Sequence, residues 1–325
     1  AARISGLSAV VGPTLQDLGG PGVARLEEQI DATLAIAGDR SLEEAGVVAA
    51  LAPHATDTVS SGLWRRIADL ASSHALPLHF HAAQSVDEYR RVMARQGTSP
   101  LGWLAREGWL QSTPQAFLVH LLYADRHDIE QLDPARTTLV YCPASQLQYN
   151  FPAPTSRWRA LGRTWAIGTD CGACNDTMNL QAELRLASGP QFGVVQSPAY
   201  QAFWDGEPDV ESVARERTDR LGQAQIDPVA LLDSVLEGPG RHHPTLKVGA
   251  IRPGYRANLV AYDLTHPSFW PGTDVLRALA LQDVSRAIRR MMQGGRWLSE
   301  DREHAATILG ADWLVEAREE ANVRL

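Results

Sequence analysis

Four side chains able to hold a metal or move a proton recur at one kind of place in this 325-residue sequence. His54, His81, His120 and Asp170 each fall at the end of a short apolar run. Neutral imidazole and carboxylate are the donors a catalytic divalent ion takes, with one position left for water. Such an ion makes water a nucleophile near neutral pH. A carboxylate beside both can take the proton and hand it to the leaving group. Asp170 suits that work, so hydrolysis at a metal is the chemistry this set would do. A single strand-end histidine is more often a hydrogen-bonded structural residue; the signal lies in the set of four.

Six apolar runs must position these groups: 7–12, 47–52, 76–81, 116–120, 138–142 and 164–170. Amphipathic stretches separate most of them, and the spacing predicts helices over 22–37, 60–74, 86–96, 125–132 and 179–187. Strand-then-helix repetition argues for a parallel sheet covered by helices. Runs without alternation fit strands buried on both faces. On pattern alone an open doubly wound sheet and a (β/α)8 barrel both remain. No Gly-x-Gly-x-x-Gly follows the first strand, so dinucleotide binding has no support. In a barrel, side chains at the C-terminal ends of different strands meet in one active site.

The bulk numbers narrow the partners. The net charge is -8, with 44% hydrophobic and 21% charged residues. An acidic chain without a basic, aromatic-laced run does not point to nucleic acid. No apolar run approaches the ~20 residues of a membrane span, and no signal peptide opens the chain. Three cysteines, Cys142, Cys171 and Cys174, make no disulfide framework, which points to the cytoplasm.

His79-Phe-His81-Ala-Ala-Gln84, Val119-His120, Cys142-Pro-Ala-Ser145 and Gly168-Thr-Asp170-Cys-Gly-Ala-Cys-Asn175 resemble the metal-dependent amidohydrolases related to cytosine deaminase and the triazine hydrolases. So do Ala52-Pro-His54-Ala and the tail 248–260, where Asn258 replaces the usual Asp. The resemblance spans about 6–298. It implies a (β/α)8 TIM-type barrel followed by the C-terminal part of a small β-sandwich, and hydrolysis of carbon–nitrogen bonds in a small cyclic or conjugated substrate. His81 and Asp170 would bind the metal, zinc or alternatively iron, with Asp170 as acid/base. His120 would be either a ligand or a donor polarising the substrate, and His54 would contact the substrate. His79, two residues before His81, points the same way and would support the site.

Two departures matter. Related deaminases carry Glu at position 84. Gln84 hydrogen-bonds but cannot titrate, which favours a substrate needing no protonation there, as in an amidase or chlorohydrolase, or a non-catalytic remnant that binds or forms interfaces. The family also opens with a strand ending in His-x-His that supplies two ligands, and none precedes His54. The six runs would therefore be strands three to eight, the chain would be a fragment or else a natural truncation whose site a partner chain completes, and alone it would bind metal weakly or not at all. Two open sheet edges would favour self-association.

The expected division is a partial barrel over 1–245, a β-sandwich portion over 246–298 and a charged terminal helix over 299–325. Cys171-Gly-Ala-Cys174 alone is a weak zinc motif. Both are expected to be small loop residues, with Cys171 near enough to touch substrate. His242-His243 reads as solvated, Trp103, Trp109, Trp158 and Trp165 as core or interface residues rather than a substrate cage, and 211–220 as an exposed helix.

Overall fold

The computed structural model describes residues 7–149, 151–175, 177–189, 197–206, 209–224, 226–272 and 274–298. The expected terminal helix over 299–325 lies outside the described residues.

All six apolar runs form parallel strands, and each pairs with its sequence neighbour. The first two are broken in the middle. They comprise β1 (Ala9–Val11) with β2 (Thr14–Leu15), and β3 (Val47–Ala49) with β4 (Ala52–Pro53). β1 pairs with β3 and β2 with β4. β5 (Leu78–Ala82), β6 (Ala116–His120), β7 (Thr137–Tyr141) and β8 (Trp165–Ile167) continue the order. Bridges Leu51 to Leu78 and Ala55 to His81 join β3–β4 to β5. Sequential parallel order with helical crossovers is the topology of a TIM-type barrel.

The helices cover the outer face. α1 (Leu26–Gly38) and α2 (Arg40–Glu44) lead into β3, and α3 (Ser61–His74) into β5. Ser60 caps α3 by accepting from the Leu63 N–H, and Leu63, Trp64, Ile67, Ala68 and Ala71 are its buried face. α4 (Val86–Gln96) and α5 (Pro100–Glu107) lie between β5 and β6. Trp64, Trp103 and Trp109 pack together beneath Phe80, so the expected tryptophan core is present, with Trp158 and Trp165 buried as well. α6 (Arg126–Glu130) precedes β7, and α7 (Pro143–Tyr149) and α8 (Thr155–Ala160) precede β8. α9 (Leu180–Ala187), α10 (Pro198–Trp204), α11 (Val210–Ala224), α12 (Pro228–Asp233) and α13 (Glu237–Gly240) follow.

Burial on both faces was expected of every strand. It holds for β7, but β5 alternates: Leu78, Phe80 and Ala82 are buried under helices while His79 and His81 face an open cavity. The two sheet edges also differ. Among the described residues β1 pairs on one side only, with β3, and Val10 is 41% and Val11 36% exposed. At β8 the edge is covered: the Ile167 N–H donates to the Ser234 carbonyl. Gly238 sits so close there that a Cβ would lie 3.1 Å from the Trp165 carbonyl oxygen. The expectation of two open edges therefore fails at β8, because the chain after α11 folds back across it.

The expected solvation of His242-His243 also fails. His243 is buried, and its Nδ1 accepts from the Thr245 and Leu246 N–H groups. His242 is half-buried with Nε2 beside the Thr164 hydroxyl. Local polarity misled because one imidazole nitrogen satisfies two backbone donors of the turn.

Beyond it, β9 (Leu259–Tyr262), β10 (Ile288–Gln293) and β11 (Arg296–Trp297) form an antiparallel sheet, with α14 (Val275–Leu281) between β9 and β10. Asn258 and Arg256 tie it to the start of the chain: Asn258 Nδ2 donates to Ser8, and the Arg256 guanidinium to the Glu44 and Ala45 carbonyls.

Candidate active site

Parallel strands in register bring their C-terminal ends to one rim. His54 follows β4 directly, His81 is the penultimate residue of β5 and His120 the last of β6. Asp170 lies three residues beyond β8, in the irregular segment before the 172–174 turn rather than at the strand end. The backbone takes left-handed φ at Ala83 (51°), His120 (80°), Leu121 (55°) and Asp170 (59°). Such conformations are strained for non-glycine residues and gather where geometry is imposed for function.

His81, His120 and Asp170 place ligand-capable atoms within 4.8 Å of one another. His81 Nε2 is 4.0 Å from Asp170 Oδ1, and His120 Nε2 is 3.8 Å from Asp170 Oδ2. The His81 and His120 rings stack at 5.2 Å, and His54 meets His81 edge-on at 5.3 Å.

Hydrogen bonds fix the tautomers. His81 Nδ1 is 2.8 Å from the His54 carbonyl oxygen, which can only accept. Nδ1 therefore carries a proton, and Nε2 is the ring atom that faces Asp170. Two donors at ~2.1 Å from a tetrahedral ion sit about 3.4 Å apart, so His81 Nε2 and Asp170 Oδ1, at 4.0 Å, would share a divalent ion after closing by a little over half an ångström. His120 differs. Gln146 Oε1 accepts from the Ala153 N–H at 3.2 Å, so its amide nitrogen faces His120 Nδ1 at 3.3 Å and donates to it. His120 Nε2 then bears the hydrogen. In this tautomer Nε2 faces Asp170 Oδ2 as a donor, and the same atom belongs to the His81, His120 and Asp170 cluster that could hold an ion.

Burial sets the charges. His120 is held down to about pKa 4 by burial and by neighbouring His81, against the pull of Asp170, so it is neutral at pH 7. Burial also lowers His54, helped by His81. Burial works to raise Asp170, but the Ser145 hydrogen bond and the two imidazoles outweigh it and leave the carboxyl below its usual range. Ser145 Oγ donates to Asp170 Oδ2 at 2.6 Å.

Two cavities meet here. The upper, about 480 Å³, is lined by His54, His81, Gln84, Ser145, Asp170 and Cys171 among others. The lower, about 530 Å³, runs down the concave face between His79, Phe117, Val119, Val140 and Ala166. Among the described residues Asp170 is the one carboxylate lining either.

Sequence reasoning gave no roles to the residues that hold this rim. Glu88 is fully buried, accepting from the Ala83 N–H at 3.0 Å, the Gln84 N–H at 2.7 Å and the Thr56 hydroxyl. Ser85 caps α4 by accepting from the Glu88 N–H. The Ser85-x-x-Glu88 spacing of a capping box was the available signal. Buried Glu183 accepts from the Ala144 N–H at 2.9 Å and from Asn175, linking the loops after β7 and β8. Gln146 had no local signal.

Residues 18–203 match the amidohydrolase family. The chain is 29% identical over 254 residues to an 8-oxoguanine deaminase of Pseudomonas aeruginosa, covering 78% of this chain and 50% of that protein. Among solved structures, a zinc-bound adenosine deaminase from Xanthomonas campestris superposes with a TM-score of 0.74 at 21% identity, over 97% of this chain and 67% of that one. An atrazine chlorohydrolase from Arthrobacter aurescens complexed with zinc gives 0.73 at 18%, with the same coverage. At these identities the structural likeness shows the fold. The chain spans about half the length of the curated relatives it matches.

Proposed function

Because the chain belongs to the amidohydrolase family, we propose that it provides the acid/base half of a metal-dependent hydrolase acting on carbon–nitrogen bonds of a small cyclic or conjugated substrate. The observation that carries this is the convergence of His81 Nε2 and Asp170 Oδ1, with His120 on the other carboxylate oxygen. Zinc, which both solved neighbours hold, is the preferred ion and iron the alternative. His81 and Asp170 would hold it, and it would supply Lewis acidity and a more acidic water.

The chain's own residues do the rest. Asp170 takes the proton from water and passes it to the leaving group. Ser145 keeps that carboxylate ionised and oriented. Neutral His120 donates its Nε2 hydrogen to the heteroatom at the attacked carbon. His54 and Cys171 border the substrate, and Phe117, Val119 and Val140 form an apolar wall for a flat ring. In this reading residues 1–245 are the catalytic unit, and 246–298 are a β-sandwich portion bracing its first strand. The setting is the cytoplasm, consistent with no described helix being long and apolar enough to cross a membrane.

A second reading rests on Gln84. It lines the upper cavity where a titrating acid would serve a deaminase, and the nearby Glu88 carboxylate is spent on backbone N–H groups. A substrate with a ready leaving group, such as a chlorotriazine or an amide, needs no acid there. Purified gene product with added zinc should release ammonia from oxopurines or chloride from chlorotriazines, and Asp170→Asn should abolish either. Hydrolysis undiminished in Asp170→Asn, or absent on every C–N and C–Cl substrate, would overturn the proposal.

A further inference from the structure

Cys171 and Cys174 bracket the turn that follows Asp170. Their Sγ atoms lie 3.0 Å apart. A disulfide needs ~2.05 Å, so closure asks for about 1 Å of travel. The turn already holds them together: the Cys174 N–H donates to the Cys171 carbonyl at 3.2 Å, and the Cys174 thiol reaches the same oxygen at 3.2 Å. Cys171 is exposed and borders both cavities, whereas Cys174 is buried and borders only the upper one. The third cysteine, Cys142, is buried just past the end of β7.

Metal chelation by the pair is the rival use, since Asp170, Cys171 and Cys174 also cluster within 4.8 Å. Two thiolates at ~2.3 Å from a tetrahedral ion sit about 3.8 Å apart. The observed separation is shorter than a shared ion would set.

We propose that Cys171 and Cys174 form a redox-active dithiol, a modification site on the loop that carries Asp170. The partner oxidant is a small disulfide of the glutathione class. The Cys171 sulfur, as thiolate, attacks one sulfur of the small disulfide. That S–S bond breaks, and one small thiol leaves with a proton. Cys174 then attacks the Cys171 sulfur, the mixed disulfide breaks, and the second small thiol departs with the other proton. Two protein thiols are oxidised and one small disulfide is reduced, with two electrons and two protons transferred. Exposed Cys171 is the entry point and sheltered Cys174 the resolving group. Closure tightens the segment between Asp170 and Asn175, whose amide donates to the Thr169 carbonyl at 2.9 Å. The site stands on thiol geometry, so it holds whether or not Asp170 binds an ion.

The test is mass spectrometry of the folded protein after incubation with oxidised glutathione and quenching with N-ethylmaleimide. The disulfide removes about 2 Da, the two hydrogens lost, and Cys171 and Cys174 should then take up no maleimide, whereas in the untreated protein they do. Peptide mapping should place the bond between Cys171 and Cys174 and leave Cys142 reduced. Cys174→Ser should instead trap glutathione on Cys171. Three free thiols in the oxidised wild type, or a lasting glutathione adduct on wild-type Cys171, would overturn the proposal. So would thiols that react only after a chelator is added, which would make the pair a metal site. The wild-type readings need no variant to fold.

Discussion

Replacing Gln146 with Leu removes a side chain that serves two buried groups at once. Its Oε1 accepts from the Ala153 N–H at 3.2 Å, and its amide nitrogen faces His120 Nδ1 at 3.3 Å. An unpaired buried polar group costs ~1–3 kcal/mol. Both bonds are long, so each belongs at the low end, and Gln146→Leu should cost about 2 kcal/mol in urea unfolding. The tautomer of His120 is the sharper reading. A weak neutral hydrogen bond contributes ~0.7 kcal/mol net, about a threefold bias toward the form protonated at Nε2. Nitrogen-15 spectra of labelled histidine at pH 7 report this directly, because His120, with its pKa near 4, is neutral there. The wild type should show the proton on Nε2, and Gln146→Leu should move the population toward Nδ1. A wild-type proton on Nδ1, or an unchanged ratio in the variant, would refute the assignment of His120 as donor.

Acid stability follows from two buried imidazoles. Burial pushes both His120 and His243 down to about 4. Unfolding frees them to bind protons near the ordinary value of about 6.5, so the unfolded state gains protons that the fold refuses. Stability is then full above about pH 6.5 and falls as pH drops toward 4, by up to roughly 3 kcal/mol per histidine. His243→Gln should flatten part of that slope in urea titrations across this window; an unchanged slope would exclude His243 as a source. Glu88→Ala orphans the Ala83 and Gln84 N–H groups, and should cost about 3 kcal/mol; a loss under about 1 kcal/mol would mean the rim does not depend on it. Gln84→Glu should raise ammonia release from oxopurines if position 84 faces the reacting ring, and no change on any substrate would place it elsewhere. Zinc binding by the 325-residue chain, measured by equilibrium dialysis, should be weak and further reduced in His81→Asn, because His81 and Asp170 offer two firm donor atoms; tight stoichiometric binding would contradict this count.

The strand series and its chemical residues were legible in the sequence because both are local. An apolar run of five to seven residues between helical stretches reads as a strand by its local pattern, and a His or Asp at its end is visible by position. Histidines two residues apart share a strand face, so His79 and His81 were bound to point together. Tertiary structure alone decided which partners each group meets. Gln146 lies 26 residues from the imidazole whose proton it places, and the His54 carbonyl 27 residues from the one it orients. Glu88 looks like a surface residue of a polar helix until the chain reverses and buries it under the rim. His243 reads as solvated until its turn closes over it, and the β8 edge reads as open until the Ser234 carbonyl meets it. Composition and periodicity record which residues favour burial or extension. A tautomer, a carboxylate's charge and the closeness of two thiols depend on partners that only folding brings within 3 or 4 Å.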